Sequence, residues 1–312
     1  MNVLVVGAGA LGSLVGARLS KTHASSISLF STNREHMEAI RQRGLDIEEL
    51  DGTVRNYPLK TYFEADKLPR NPDLVLVLVK AYATQRAVSL VHGVCSTSTF
   101  FLTLQNGIGN WERIAEITGK EAVLAGSTAQ GSTLLGPGLI RHGGNGPTYI
   151  GEPDGPTSER VRRSVELFRE ADLAAEPTEE VERLIWEKLV INVGINAITG
   201  LTGIRNGFIA EMQEAGDLCR SAVEEAIMVA GSKGFPIGMD MVQRVIAVAR
   251  ATARNRSSMG QDVDKKKKTE IDAINGAVVR FGKEAGIPTP VNRTLTLLMK
   301  VLEAQYAGQG KP

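Results

Sequence analysis

In the first part of the chain the apolar positions come as short unbroken runs set between amphipathic stretches. Val3–Val6, Ile27–Phe30, Asp73–Val79 and Thr99–Leu104 are such runs. Without polar alternation, they predict strands of a parallel sheet covered on both faces. Shorter runs at Ala122–Ala125 and Tyr149–Ile150 extend that sheet, and the glycine- and proline-rich stretch Gly136–Pro147 predicts a turn region. Pro156–Ala171 predicts a helix, and Ala174–Ala175 a last short strand. After Pro177 the strand signals stop. Helical spacing then runs through Val181–Leu201, Phe208–Gly231, Met239–Ala253, Val263–Ala285 and Thr289–Ala304, with Gly234-Phe235-Pro236 and Gly286-Ile287-Pro288 as helix stops. The expected fold is an α/β Rossmann-type N-terminal domain with a parallel-rich sheet (1–177), followed by an all-α C-terminal domain (178–312). A substrate cleft is expected between two such domains.

The first strand is followed by Gly7-Ala8-Gly9-Ala10-Leu11-Gly12 and then by an amphipathic stretch. This is G-x-G-x-x-G between a strand and a helix, the context of the dinucleotide fingerprint. Gly7 allows the tight turn, Gly9 lets backbone approach the pyrophosphate, and Gly12 lets helix and strand pack closely. The helix N-terminus offers amide groups to the phosphates. The second strand ends in Ser31-Thr32-Asn33-Arg34. An NAD site usually has an acidic residue here to hold the ribose 2′-hydroxyl. Hydroxyls, an amide and a guanidinium suit a 2′-phosphate better, so NADP is expected over NAD. The plain alternative is that Arg34 is a solvated loop residue. In open parallel sheets ligands bind outside the carboxyl ends of strands. Lys80 and Asn106 occupy two such ends, although a lysine there is often just the first solvated residue.

One predicted helix stands out. In W-E-K-L-V-I-N-V-G-I-N-A-I-T, from Trp186 to Thr199, three polar residues interrupt an apolar run. Lys188, Asn192 and Asn196 are spaced by four, so they drift by about 40° per step and share one face. Buried, such groups need partners, and a small polar substrate could supply them; half-exposed, they would form an ordinary solvated stripe. Asn255-Arg256-Ser257-Ser258-Met259 is a polar stretch before a helix, where Ser258 could cap or bind an anion. Glu270 precedes the apolar face of its helix and could be surface charge. The four lysines at 265–268 read as a solvated helix face.

Composition narrows the class. A chain of 312 residues with 42% hydrophobic content suits two domains with ordinary cores. A net charge of +1 gives no reason to expect nucleic acid or an anionic membrane as partner. Two cysteines make no framework, and four scattered histidines suggest no metal site. Met1 leads straight into a strand, and no apolar run approaches the roughly 18 residues of a membrane span. The expectation is a cytoplasmic protein. The sequence fixes no oligomeric state; a homodimer is compatible with it.

Taken together, several motifs resemble the ketopantoate reductase (2-dehydropantoate 2-reductase) family, within the 6-phosphogluconate-dehydrogenase-like group. They are G-A-G-A-L-G at 7–12, V-K-A-Y around Lys80, Q-N-G at 105–107, W-E-K-L-x-x-N-x-x-x-N at 186–196, N-R-S-S-M at 255–259 and T-E-I-D-x-I-N-G at 269–276. The first is widely shared; the last three together are specific. The resemblance implies hydride transfer from NADPH to ketopantoate, giving pantoate. It implies that Lys188 is the proton donor and that Asn192, Asn196, Asn206 and Ser258 bind substrate. Asn106 and Glu270 match positions that hold the cofactor, and Lys80 matches a lysine near the nicotinamide ribose. One departure is clear: the family commonly has A-R-x-x-H after the second strand, whereas here the arginine comes one place later, in Thr32-Asn33-Arg34-Glu35-His36. Two rivals stand beside this reading. One is a reductase of another 2-oxo acid on the same plan. The other is a nucleotide-binding regulator without turnover, which would need the glycines but not Lys188, Asn192, Asn196, Ser258 and Glu270 together.

Overall fold

The computed structural model describes residues 1–23 and 26–308. The chain divides into two compact units. The first comprises residues 1–105 and 109–184; the second comprises residues 106–108 and 185–312.

The first unit is built on a ten-stranded sheet. At its centre β1 (Val3–Val6) pairs in parallel with β2 (Ile27–Phe30) on one side and β6 (Leu74–Val77) on the other. Next to β6 come β7 (Phe100–Thr103) and β8 (Val123–Gly136), also parallel. The outer strand on the other side is β5 (Lys60–Tyr62). The unbroken apolar runs have their physical cause here. Val3 and Val5 of β1 join one apolar cluster with α1 (Ala10–His23), α2 (Arg34–Arg43) and α5 (Glu159–Glu170). Leu4 and Val6 join a second, with α3 (Thr84–His92) and α4 (Asn110–Thr118). Alternate side chains point to opposite faces, and both faces are covered.

The sheet differs from the expectation at its far side. The short apolar runs at 122–125 and 149–150 are the ends of long strands, β8 and β9 (Leu139–Gly151), paired antiparallel. Most of the expected turn region Gly136–Pro147 is therefore strand; the turn itself is Pro137-Gly138. Ladder hydrogen bonds come from the backbone, so a glycine-rich strand can pair while showing little apolar alternation. Around β9 sit β3 (Leu45–Glu48) and β10 (Ala175–Pro177), both parallel to it, with β4 (Val54–Tyr57) antiparallel at the edge. The expected strand 73–79 ends at Val77. Its last residues turn over Gly7 instead.

The second unit is helical. Its core helix is α6 (Val181–Thr202), whose first turn lies in the first unit. Trp186 stacks on Phe235 with ring centroids 6.0 Å apart and lies 5.8 Å from Phe281. Gly194 lies so close to Cys219, Val223 and Val245 that a Cβ there would meet all three within 3 Å. Among the described residues α6 is the one helix long and apolar enough to cross a membrane, but most of it is buried inside the structure, as a core helix would be. The expected helix 208–231 is two, α7 (Phe208–Glu211) and α8 (Gln213–Ser232), broken at the extended residue Met212. After α9 (Met241–Ala251), the expected helix 263–285 is also two. The first, α10 (Ser258–Asp264), stops before Lys266, which takes φ +50°. The second, α11 (Asn275–Ala285), starts only after a short 3₁₀ turn at 271–273. The lysine run thus forms an exposed turn rather than a helix face. The backbone N–H and hydroxyl of Thr269 are both taken by Glu303 of α12 (Pro290–Gly308), which fixes the chain between the two helices.

Candidate active site

The glycine turn connects β1 to α1. The amides of Gly7 and Ala8 both donate to the carbonyl of Phe30, at 2.9 and 3.2 Å, and this ties the turn to the end of β2. Gly7 has φ +101°, and a Cβ there would collide with the Val79 amide. A Cβ on Gly12 would collide with the carbonyl of Gly7. Both glycines are required by the fold itself. Gly9 is different: a Cβ there meets nothing within 4 Å. Its lack of a side chain serves no contact inside this unit and leaves the space beside the turn clear. Ala10 and Leu11 open α1, whose first amides have no intrahelical acceptor. A pyrophosphate fits this arrangement in both shape and charge.

At the end of β2, Asn33 caps α2, its Oδ1 accepting from the amide of His36 at 3.3 Å. Arg34 is exposed. Its guanidinium lies 4.8 Å from the centre of the Phe63 ring and bonds to Glu38 at 2.8 Å. An exposed pair of this kind is weak, so the guanidinium can be redirected at little cost. Lys80 lies three residues beyond the end of β6, half-buried, at the start of a short 3₁₀ turn. Gln105 was not singled out in the sequence, yet it holds this region together. Its Nε2 donates to the Val79 carbonyl at 2.7 Å and to Thr84 Oγ1 at 2.8 Å. It thereby ties the end of β7 to the segment carrying Lys80. Its place in Q-N-G, directly before Asn106, was the available signal.

In the second unit α6 sets Lys188, Asn192 and Asn196 on one face, as the spacing of four requires. The Nδ2 groups of Asn192 and Asn196 are buried and have no hydrogen-bond partner among the described residues. Asn292, by contrast, is fully answered. Its Nδ2 donates to Glu225 at 2.7 Å and to the Ala222 carbonyl at 3.0 Å, and its Oδ1 accepts from Asn275 at 3.0 Å. Each unanswered buried amide costs roughly 1–3 kcal/mol. Two of them, one helical turn apart, mark a place that a polar ligand would complete. Burial draws the Lys188 ammonium down to about 8, opposed by the Glu270 carboxylate. Glu270 is itself buried, not the surface charge that its position before the helix suggested.

Asn206 lies on the turn after α6, and Ser258 is the first residue of α10, whose preceding residue Ser257 bonds to Thr199 near the end of α6. The Asn206 amide donates to the Asn255 carbonyl at 3.1 Å, and its Nδ2 donates to Thr252 at 3.0 Å. Its Oδ1 is buried without a partner among the described residues. The helix cap is Ser257, not Ser258. Ser257 Oγ accepts from Gly260 N at 3.0 Å and from Thr199 of α6 at 2.7 Å. With the cap made by its neighbour, the exposed Ser258 keeps its hydroxyl out of that duty. Asn106 belongs to the second unit because Ile108 N donates to the Ala273 carbonyl at 3.1 Å, while Gly107, at φ +82°, packs where a Cβ would strike Ala273. That contact brings Asn106 and Gly107 beside the 269–276 motif within the second unit.

Known proteins resemble this chain over nearly its whole length. The family described as "Ketopantoate reductase PanE/ApbA" matches residues 3–155, and its C-terminal counterpart matches residues 180–303. A 2-dehydropantoate 2-reductase of Halobacterium salinarum is 35% identical over 303 residues, covering 97% of this chain and 99% of its own. The crystal structure of a PanE/ApbA family ketopantoate reductase from Ralstonia eutropha superimposes with a TM-score of 0.90 at 28% identity, covering 98% of this chain and 100% of that one. A D-mandelate dehydrogenase solved with NADH and anilino(oxo)acetate shares the fold, with a TM-score of 0.91 at 24% identity over 98% of this chain and 100% of that one.

Proposed function

We propose a function from one premise: this chain belongs to the ketopantoate reductase PanE/ApbA family. It reduces 2-dehydropantoate to pantoate, a step towards pantothenate. Its cofactor is a nicotinamide dinucleotide, and NADPH is the form that the end of β2 favours. The observation that carries this reading is the face of α6, with an ammonium whose pKa is drawn down to about 8 on the same face as two buried carboxamide donors that lack partners among the described residues.

When bound, the nicotinamide would supply the hydride that adds to the ketone carbon. The ketone oxygen gains negative charge as that bond forms. Lys188 stabilises the charge and transfers a proton from Nζ to the oxygen, which completes the alcohol. Lysine can give up this proton near neutral pH and a guanidinium cannot. Glu270 favours the charged lysine before transfer. Asn192 and Asn196 donate to the oxygens of the 2-oxo acid, and Asn206 and Ser258 complete its polar contacts. The open amides at the start of α1, at Ala10 and Leu11, would hold the pyrophosphate beside Gly9, since the Gly7, Ala8 and Gly9 amides already donate to backbone carbonyls. Asn33 and Arg34 would hold the 2′-phosphate, and Lys80, Asn106 and Glu270 the nicotinamide end.

The test is NADPH oxidation with ketopantoate beside a panel of other 2-oxo acids. The highest kcat/KM is expected for ketopantoate. A higher value for another 2-oxo acid would reassign the substrate, and absence of turnover with the whole panel would remove the enzymatic reading.

A further inference from the structure

His36 is a buried titratable group that the proposed reaction does not use. It lies in the first turn of α2 and is 1% exposed. Both ring nitrogens are engaged. The amide of Gly138, in the β8–β9 turn, donates to Nδ1 at 2.9 Å. Nε2 lies 3.0 Å from Oγ of Ser13 on α1. An amide can only donate, so Nδ1 is an acceptor and the ring proton sits on Nε2. Ser13 Oγ therefore accepts from the ring and directs its own hydrogen to the Ala8 carbonyl, 3.4 Å away. A one-way chain of hydrogen bonds thus runs from the hairpin turn through His36 and Ser13 to the glycine turn. Burial draws the imidazole down to about 4, in keeping with a neutral ring. The backbone of His36 takes part as well, because its amide donates to Asn33 Oδ1 at 3.3 Å.

We propose that His36 is a positioning residue for the dinucleotide, clamping the β2–α2 turn that carries Asn33 and Arg34 onto the helix that follows the glycine turn. The inference rests on reading both segments as cofactor-binding. They serve different parts of one ligand: the glycine turn takes the pyrophosphate and the β2–α2 turn the adenosine ribose. Both parts are held at full strength only when the spacing between the segments is fixed before binding. A loosened clamp adds an ordering cost to each binding event. The effect therefore falls on cofactor affinity and leaves the chemistry at Lys188 alone.

Ser13→Ala and His36→Gln test this. Each is titrated with NADPH and with NADH by fluorescence, alongside wild type, with Tm and the ketopantoate KM at saturating cofactor also measured. Ser13→Ala is expected to raise the Kd of the cofactor that wild type prefers about fivefold, which corresponds to one net hydrogen bond of ~1 kcal/mol. His36→Gln is expected to raise it further, with the ketopantoate KM unchanged in both. A folded variant with lowered Tm and wild-type cofactor Kd would reduce His36 to a structural residue and overturn the proposal. An equal rise in the ketopantoate KM would overturn it too. If His36→Gln does not fold, Ser13→Ala decides. A wild type that prefers NADH rejects the NADPH reading alone; the change in Kd between variant and wild type still decides the clamp.

Discussion

The glycine turn and the polar face of α6 are specified in opposite ways. At the turn the proposed function depends on missing side chains. Gly7 and Gly12 are glycine because backbone stands where their Cβ atoms would be, and Gly9 is glycine where the protein itself leaves space. On α6 the proposed function depends on side chains that the fold does not satisfy, since Asn192 and Asn196 keep buried donors without partners among the described residues. The first region is a shape finished before any ligand arrives. The second carries a stability cost that a ligand can relieve. This contrast predicts that substitutions in the two regions will separate stability from function differently.

The largest effect is expected at Lys188. Lys188→Ala should lower kcat by about 10²–10⁴, the worth of a positioned acid, with NADPH affinity nearly intact. Lys188→Arg should not restore the rate, because a guanidinium keeps its proton. The sign of the pH dependence follows. The donor must be protonated, so the rate of reduction should fall as pH rises through about 8, and that limb should vanish in the variants. Near-wild-type turnover by either variant would assign the proton to another group.

The glycine turn comes next. Gly9→Val should raise the NADPH Kd about 10- to 100-fold, the ~1–3 kcal/mol of forcing extra atoms into filled space, with Tm close to wild type. Gly7→Ala should instead lower Tm, because it places a Cβ on the Val79 amide in a backbone conformation that only glycine adopts freely. Equal losses of Tm in the two would erase the distinction between a glycine kept for the ligand and one kept for the fold.

Asn196→Leu removes an unpartnered amide and keeps the volume. It should leave Tm unchanged or higher while raising the ketopantoate KM about tenfold, for a hydrogen bond to charge of roughly 1.5 kcal/mol. A clear loss of Tm would show that the amide is already satisfied in the free protein. The smallest effect is expected at Arg34. Arg34→Ala should raise the KM for NADPH by up to about fivefold, as suits an exposed ion pair, and leave that for NADH unchanged. Equal changes for both cofactors would take Arg34 away from the 2′-phosphate.

Much of this protein was determined by local sequence. The central strands, the G-x-G-x-x-G turn and the long helix bearing Lys188, Asn192 and Asn196 follow from short-range pattern, because strand and helix periods place side chains by spacing alone. The motif resemblance followed from the same residues. Tertiary structure decided what depends on distant partners. The glycine-rich β9 is a strand because β8, β3 and β10 supply its ladder partners. The stretch 263–285 breaks into two helices, with Thr269 bonded to Glu303 between them. Glu270 is buried and acts on Lys188 from 82 positions away in the chain. Ser257, not Ser258, makes the cap, and it takes a second bond from Thr199 on α6. His36 is a clamp only because Ser13 and Gly138 converge on its two nitrogens. Sequence spacing fixes which way a side chain points on its own element. Burial, pKa and the question of whether a polar group finds a partner depend on groups from elsewhere in the chain, and the folded arrangement alone supplies them.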